Sequence, residues 1–174
     1  MYFKRYFLLI LSIMLATLLS AKEPFDVLVN KYQPNTEKGL IYIDKSDFSL
    51  TVFSPSGDIL VEYPIACGMN IGQKRRAGDH KTPEGVFEIQ EIQDSSKWGH
   101  DFHDGKGFIK HAYGPWFFRI KTRFKGIGIH GTHDPESIGT RATEGCVRLK
   151  NENLESLKQF IEIGMTVIIS QDKI

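Results

Sequence analysis

Between Phe48 and Ile65 the chain alternates apolar and polar residues in two runs separated by a five-residue polar turn. Phe48, Leu50 and Val52 are interleaved with Ser49 and Thr51, and Ile59, Val61, Tyr63 and Ile65 follow the segment Ser54-Pro55-Ser56-Gly57-Asp58. A period of two puts one set of side chains on one face of a pleated strand. A Pro- and Gly-bearing insert between two such runs predicts a β-hairpin. Further strand candidates are Val86 to Ile92, Trp116 to Lys121, Ile127 to His130 and Met165 to Ser170, punctuated by Gly and Pro. Together these runs predict a mostly β domain.

One helix is expected near the end. Leu154, Leu157, Phe160 and Ile161 share a face at a 3.6-residue period, with Asn151 or Asn153 as N-cap and Gly164 as stop. Its apolar face predicts a helix covering an open sheet face. Residues 22–38 show no sustained period and read as an N-terminal linker or lead-in strand. The polar stretch from Asp94 to Gly107 reads as a lid or binding loop.

At the N-terminus, Lys4 and Arg5 precede an apolar run from Tyr6 to Leu19, then Ser20 and Ala21. This is the pattern of a signal peptide over residues 1–21, and the run is short for a membrane span. Export to the periplasm or cell envelope is expected, with retention of the segment as an uncleaved membrane anchor as the alternative. The domain proper is then placed at residues 39–172.

Composition removes several function classes. Twenty-two Lys and Arg stand against 21 Asp and Glu, so no broad field draws the chain to nucleic acid. Two cysteines are too few for a disulfide scaffold or a four-cysteine zinc site. His100 and His103, with Asp101, Asp104 and His111 nearby, could suggest a metal, but a solvated loop is the preferred reading, and no metal is expected. Gly72 to Gly78 followed by Lys81-Thr82 lacks the lysine adjacent to the second glycine of a phosphate loop, so nucleotide binding is rejected. Lys74-Arg75-Arg76 reads as an exposed basic turn, and Cys67 as a buried strand residue.

The residues best suited to chemistry are His130-Gly131-Thr132, at a predicted strand end, and Thr143-Glu144-Gly145-Cys146-Val147-Arg148 after a loop. A cysteine nucleophile needs a base or positive charge nearby, which a histidine supplies without a metal. Gly145 lets a carbonyl substrate come close to the backbone amides beside the cysteine. This pattern points to acyl transfer. The competing reading is a buried small cysteine and an ordinary polar histidine.

These residues resemble the signature of the L,D-transpeptidase catalytic domain family, the YkuD-like domain. The resemblance extends to Gly78-Asp79-His80-Lys81-Thr82-Pro83-Glu84-Gly85-Val86-Phe87, to Tyr63-Pro64-Ile65-Ala66-Cys67-Gly68, to Gly126-Ile127-Gly128-Ile129-His130-Gly131-Thr132 and to Ser137-Ile138-Gly139, and so covers roughly residues 39–171. It implies a β-sandwich with a covering C-terminal helix. It also implies Cys146 as nucleophile, His130 as its base, and the Gly131 carbonyl holding the imidazole tautomer. The Gly145 and Cys146 amides would form the oxyanion site, Thr143 takes the family's Ser/Thr position, and Arg148 fixes the nucleophile loop or makes a structural salt bridge. Trp98, Trp116 and Thr132 are candidates for the substrate cleft, with core packing the competing reading for the tryptophans.

The implied activity is cysteine-dependent L,D-transpeptidation of peptidoglycan tetrapeptide stems: a thioester forms, D-alanine leaves, and an acceptor amine resolves the thioester. The acceptor is a second stem peptide or another envelope component such as a protein. Two alternatives stay open: an L,D-carboxypeptidase using water, and a non-catalytic peptidoglycan-binding module. No cofactor is implied, and a monomer is expected. One position departs from the family. Glu144 stands where histidine usually precedes Gly-Cys, and an anion there disfavours a thiolate. Glu144 either points away or pairs with Arg148 or Arg141, contacts a substrate amine, or marks a weakened site. His133 reads as an exposed loop histidine rather than a replacement.

Overall fold

The computed structural model describes residues 23–102, 105 and 107–173. The expected signal segment 1–21, His103 and Asp104 lie outside them. The elements are α1 (Phe25–Tyr32), β1 (Leu40–Asp44), β2 (Ser49–Phe53), β3 (Ile59–Pro64), β4 (Cys67–Gly68), β5 (Gly85–Asp94), β6 (His100–Asp101), β7 (Phe108–Ile109), β8 (Trp116–Ile120), β9 (Gly128–His130), β10 (Arg141–Thr143), β11 (Val147–Arg148), α2 (Asn151–Lys158) and β12 (Thr166–Ile169). The fold is mainly β, and β2 and β3 form the expected antiparallel hairpin.

Eight strands make one sheet in the order β11-β9-β8-β5-β12-β1-β2-β3. The pairs β1–β12 and β9–β11 are parallel and the rest antiparallel. The ten-residue β5 joins the two halves. Gly85 to Glu88 pair with β12, and from Ile89 onward the strand pairs with β8, with a register shift between Ile89 and Glu91. Such irregularities bend a strand and increase its twist, and here the sheet curls until the two halves share one core. Ile41, Ile43, Leu50 and Val52 from one half pack with Phe118, Ile120, Ile129 and Val147 from the other.

The curl brings the ends of the strand order together. Immediately after β3, the Ala66 N–H donates to the Arg148 carbonyl (2.8 Å) and the Arg148 N–H to the Ala66 carbonyl (2.9 Å). β11 is therefore held on both sides, by β9 and by Ala66. β10 is held separately by parallel pairing with β4.

Each helix closes a different apolar cluster. Leu154 and Leu157 of α2 are fully buried in the shared core. Asn151, expected as a cap, is instead the first helical residue, and Lys150 occupies the cap position without a side-chain bond. The Asn151 Oδ1 accepts the Thr132 N–H (2.8 Å), so this side chain is spent on the strand end that carries His130.

The segment read as a linker or lead-in strand contains α1. Phe25, Leu28 and Tyr32 cover the outer face of β1 and β2, where Leu40, Tyr42, Phe53 and Ile168 form a second cluster. Every residue of β1 is consequently buried, on both faces. An apolar stripe of three residues over eight is too short to announce a period, and tertiary packing, not propensity, stabilises so short a helix. The Asp94–Gly107 stretch is likewise not wholly irregular, because β6 pairs with β7 at its end.

Cys67 is buried in β4 as expected, and both cysteines are free thiols. Beside it lies a buried charge network. Lys45 Nζ contacts Glu84 (2.7 Å) and Asp172 (2.8 Å), and Asp172 also accepts the Gly72 N–H (2.6 Å) and pairs with Arg141 of β10. Burial of charge is tolerated where every group is paired in this way.

Candidate active site

The loop from Thr143 to Cys146 spans the gap between β10 and β11, and Thr143 shapes it. The Thr143 hydroxyl donates to the Cys146 carbonyl (2.7 Å) and accepts the Gly145 N–H (3.1 Å). Gly145 has φ +137°, and a Cβ there would lie 2.7 Å from the Lys81 carbonyl oxygen. Only glycine fits a backbone pressed this closely against another. The oxyanion expectation is corrected in one respect. The Gly145 N–H is committed to Thr143, whereas the Cys146 N–H has no hydrogen-bond partner among the described residues.

Register places Cys146 relative to His130. Val147 pairs with Ile129 and Arg148 with His130, so Cys146, one residue earlier, lies alongside Gly128. Side chains alternate along a strand, which puts Cys146 and His130 on the same face of adjacent strands. In this state the thiol donates to the Gly126 carbonyl (3.1 Å) rather than to His130.

His130 is 3% exposed, stacked on Phe117 at 5.5 Å and meeting Tyr113 edge-on at 4.9 Å. Its Nδ1 lies 2.7 Å from the Gly131 carbonyl. A carbonyl can only accept, so Nδ1 carries the proton and Nε2 keeps its lone pair. The backbone around it is pinned. The Gly131 N–H donates to the Tyr113 carbonyl (2.8 Å), and a Cβ on Gly131 would collide with Asn151 and Gly114.

The resting site is neutral. Burial above all, then the Arg148 charge, pushes the His130 imidazole down to about 3 against the Gly131 hydrogen bond. Burial pushes the Cys146 thiol up to about 11, although a Gly128 backbone hydrogen bond, Arg148 and Lys74 pull the other way and Glu144 adds to the rise. A neutral imidazole and a neutral thiol on one face of adjacent strands, with no preformed ion pair, suit general-base catalysis in which the proton moves as the sulfur attacks.

Cys146 opens into a cleft of about 520 Å³ lined by Lys74, His80, His100, Tyr113, Arg123 to Ile127 and Glu144. Four of these go beyond the sequence expectations. Lys74, expected in an exposed turn, is 4% exposed, pairs with Asp79 (2.7 Å), and sits 3.4 Å from where a Gly145 Cβ would be. Tyr113 walls the cleft and contacts His130. His100, from the loop hairpin, meets the Glu144 carboxylate at 3.4 Å. Gly126 holds the thiol proton through its carbonyl. In the sequence, Gly126 opens the motif that runs to Thr132, which marks it only as part of a strand entry, and no local pattern marks Tyr113. His100 stands out there as a metal candidate, but among the described residues no group of three or more His, Cys, Asp or Glu converges as a metal site would.

Other placements also differ from expectation. Glu144 faces His100, not Arg148 or Arg141. Arg148 is buried, donates to the Ser137 hydroxyl (3.0 Å) and forms no salt bridge among the described residues. Trp116 lies away from the cleft on α2, its Nε1 donating to Glu155 (2.9 Å) and its ring under Lys158. Trp98 packs behind Tyr113 on Phe117 and lines a neighbouring depression. Thr132 is buried, its hydroxyl accepting the Asp134 N–H (2.8 Å), which makes it a turn former. His133 is exposed.

A model of the L,D-transpeptidase catalytic domain matches residues 38–169. The chain belongs to that family. The Bacillus subtilis protein named "Putative L,D-transpeptidase YkuD" is 31% identical over 113 residues, 65% of this chain and 55% of that one. The chain spans about half the length of the curated L,D-transpeptidase relatives it matches. Among solved structures, the helical cell shape determining protein Pgp2 from Campylobacter jejuni aligns at TM-score 0.56 and 26% identity, over 78% of this chain and 48% of that one. An L,D-transpeptidase from Stackebrandtia nassauensis aligns at TM-score 0.59 and 19% identity, over 87% and 62%, a likeness of fold.

Proposed function

We propose that the chain is an exported, cysteine-dependent L,D-transpeptidase acting on peptidoglycan tetrapeptide stems in cell-wall synthesis or remodelling. The observation that carries this reading is the juxtaposition of Cys146 with a strand ending in His130, whose Nδ1–H is committed to Gly131 so that Nε2 is free as base. Family membership and the likeness to Pgp2 support it, as do Lys4, Arg5 and the apolar run after them for export.

In the proposed reaction, Sγ of Cys146 bonds to the carbonyl carbon of the L-centre while its proton passes to Nε2 of His130. The Cys146 N–H receives the developing oxyanion. The C–N bond to D-alanine breaks as Nε2 returns the proton to the leaving amine, leaving a thioester. An acceptor amine then attacks, losing a proton to Nε2. The C–S bond breaks and the thiol is restored. Water in place of the amine makes the product a tripeptide.

The test is mass spectrometry of products after incubating the protein and its Cys146→Ala variant with purified tetrapeptide muropeptides. Cys146-dependent cross-linked dimers are expected. Tripeptide monomers alone would make it a carboxypeptidase, and no Cys146-dependent product from folded, reduced protein would overturn the catalytic reading.

A further inference from the structure

The cleft wall beside the thiol carries two cations that no carboxylate among the described residues neutralises. Arg123 and Lys125 both line the cleft and are exposed, and among the described residues neither makes an ion pair. The third cleft cation, Lys74, is neutralised by Asp79. Glu144 lines the same cleft, and its carboxylate lies 3.4 Å from the His100 ring. In a chain of formal charge +1, two unpaired cations on one wall are a local feature, not the overflow of a basic protein.

The turn that presents them is built. The Thr122 hydroxyl donates to the Phe124 carbonyl (2.7 Å) and accepts the Phe124 N–H (3.0 Å). The Arg123 guanidinium lies over the Phe124 ring at 4.8 Å, and that ring packs on the core. Gly126 has φ +78° and follows Lys125 directly, with its carbonyl on the thiol of Cys146. Both cations therefore stand just before the group that holds the nucleophile, a separation on the order of 10 Å or less along the backbone. A planar guanidinium held against a ring is suited to a carboxylate.

We propose that the Arg123–Lys125 turn is a carboxylate-recognition rim that selects acyl donors with free carboxylates over the same peptides in amidated form. This rests on the peptide-substrate reading above and names the chemistry of the donor. A carboxylate seated there fixes the peptide relative to Cys146, and amidation removes the charge while keeping the shape.

Binding to the full-length Cys146→Ala variant decides it independently of turnover. Calorimetric titration uses a stem tetrapeptide with free carboxylates and its fully amidated counterpart. The acid form is expected to bind roughly tenfold tighter. With Arg123→Gln and Lys125→Gln added, that preference should fall to about twofold or less, while Arg123→Lys alone retains most of it. Arg75→Gln with Arg76→Gln removes the same charge from a neighbouring loop and should leave the preference intact. Equal binding of the two peptides, a preference that survives removal of both rim cations, or the same loss from the Arg75/Arg76 variant overturns the inference. Failure of the native protein to give Cys146-dependent products would instead count against the catalytic reading alone.

Discussion

Buried Lys74 and half-buried Asp79 form an ion pair at 2.7 Å against the back of the nucleophile loop. Asp79 also accepts backbone N–H groups from Arg75, Arg76 and Lys81. Desolvation pushes the Asp79 carboxyl up, but these bonds and the Lys74 contact together hold it well below the usual carboxylate range. Removing the carboxylate strands a buried ammonium. Asp79→Ala should therefore cost about 3–5 kcal/mol of stability, measured by urea unfolding. Lys74→Met leaves Asp79 its backbone donors and should cost less. It should also raise the apparent pKa of Cys146, because the ammonium stabilises the thiolate.

A neutral resting thiol has a kinetic signature. With Cys146 pushed up to about 11, its alkylation by iodoacetamide at pH 7 should be slower than that of an ordinary thiol. The rate should keep rising tenfold per pH unit to about pH 10, without a plateau near neutrality. A plateau between about pH 6 and 8 would mean a preformed thiolate and sink the neutral-pair description.

His130 links stability to acid. Its folded pKa, near 3, lies below the unfolded value of 6.5, so between these values the unfolded chain binds more protons. Stability conferred by the neutral imidazole is complete above about pH 6.5 and is lost as pH falls toward 3. His130→Phe, whose ring can occupy the same stack on Phe117, should flatten the slope of unfolding free energy against pH in that window. An unchanged slope would show that His130 is not the group responsible.

Thr143 is expected to act through the loop. Thr143→Val keeps the shape but leaves the Gly145 N–H and Cys146 carbonyl without their partner, which should cost about 1–3 kcal/mol. On the proposed mechanism, kcat should drop by at least about tenfold with little change in KM, since the loop aims the sulfur. Thr143→Ser restores both bonds and should recover most of the activity.

Glu144→His should preserve or raise turnover and lower the apparent pKa of Cys146, because the carboxylate adds to the rise of the thiol. The His100 pair is part exposed and worth about 0–1 kcal/mol, so Tm should move little. A large loss of activity would instead assign Glu144 a role in holding the acceptor or the loop hairpin.

Much of this architecture is legible in the sequence because strand alternation is local. Phe48 to Ile65 announces a hairpin, and Leu154 and Leu157 announce α2, since each pattern repeats within a few residues. What the sequence hides depends on contacts distant along the chain or on short patterns. The stripe that α1 buries is only Phe25, Leu28 and Tyr32, and its burial comes from β1, β2 and β12. Lys74 sits in a run that looks solvated, and its burial comes from a loop folded back on Asp79 and pressed against Gly145. The same holds for Asn151, whose side chain serves the distant Thr132 instead of its own helix. Trp116 shows the converse, a large aromatic near the motif whose partners, Glu155 and Lys158, draw it to another surface.

The shared strand β5 has a consequence for how the molecule comes apart. Gly85 to Glu88 pair with β12 in one half of the sheet, and Ile89 to Asp94 pair with β8 in the other. Neither half can detach without releasing the strand that the other half needs. Amide protons in β1 and in β9 should then exchange with the same opening free energy, as one cooperative unit. The candidate nucleophile and the distant face under α1 would share a single melting event.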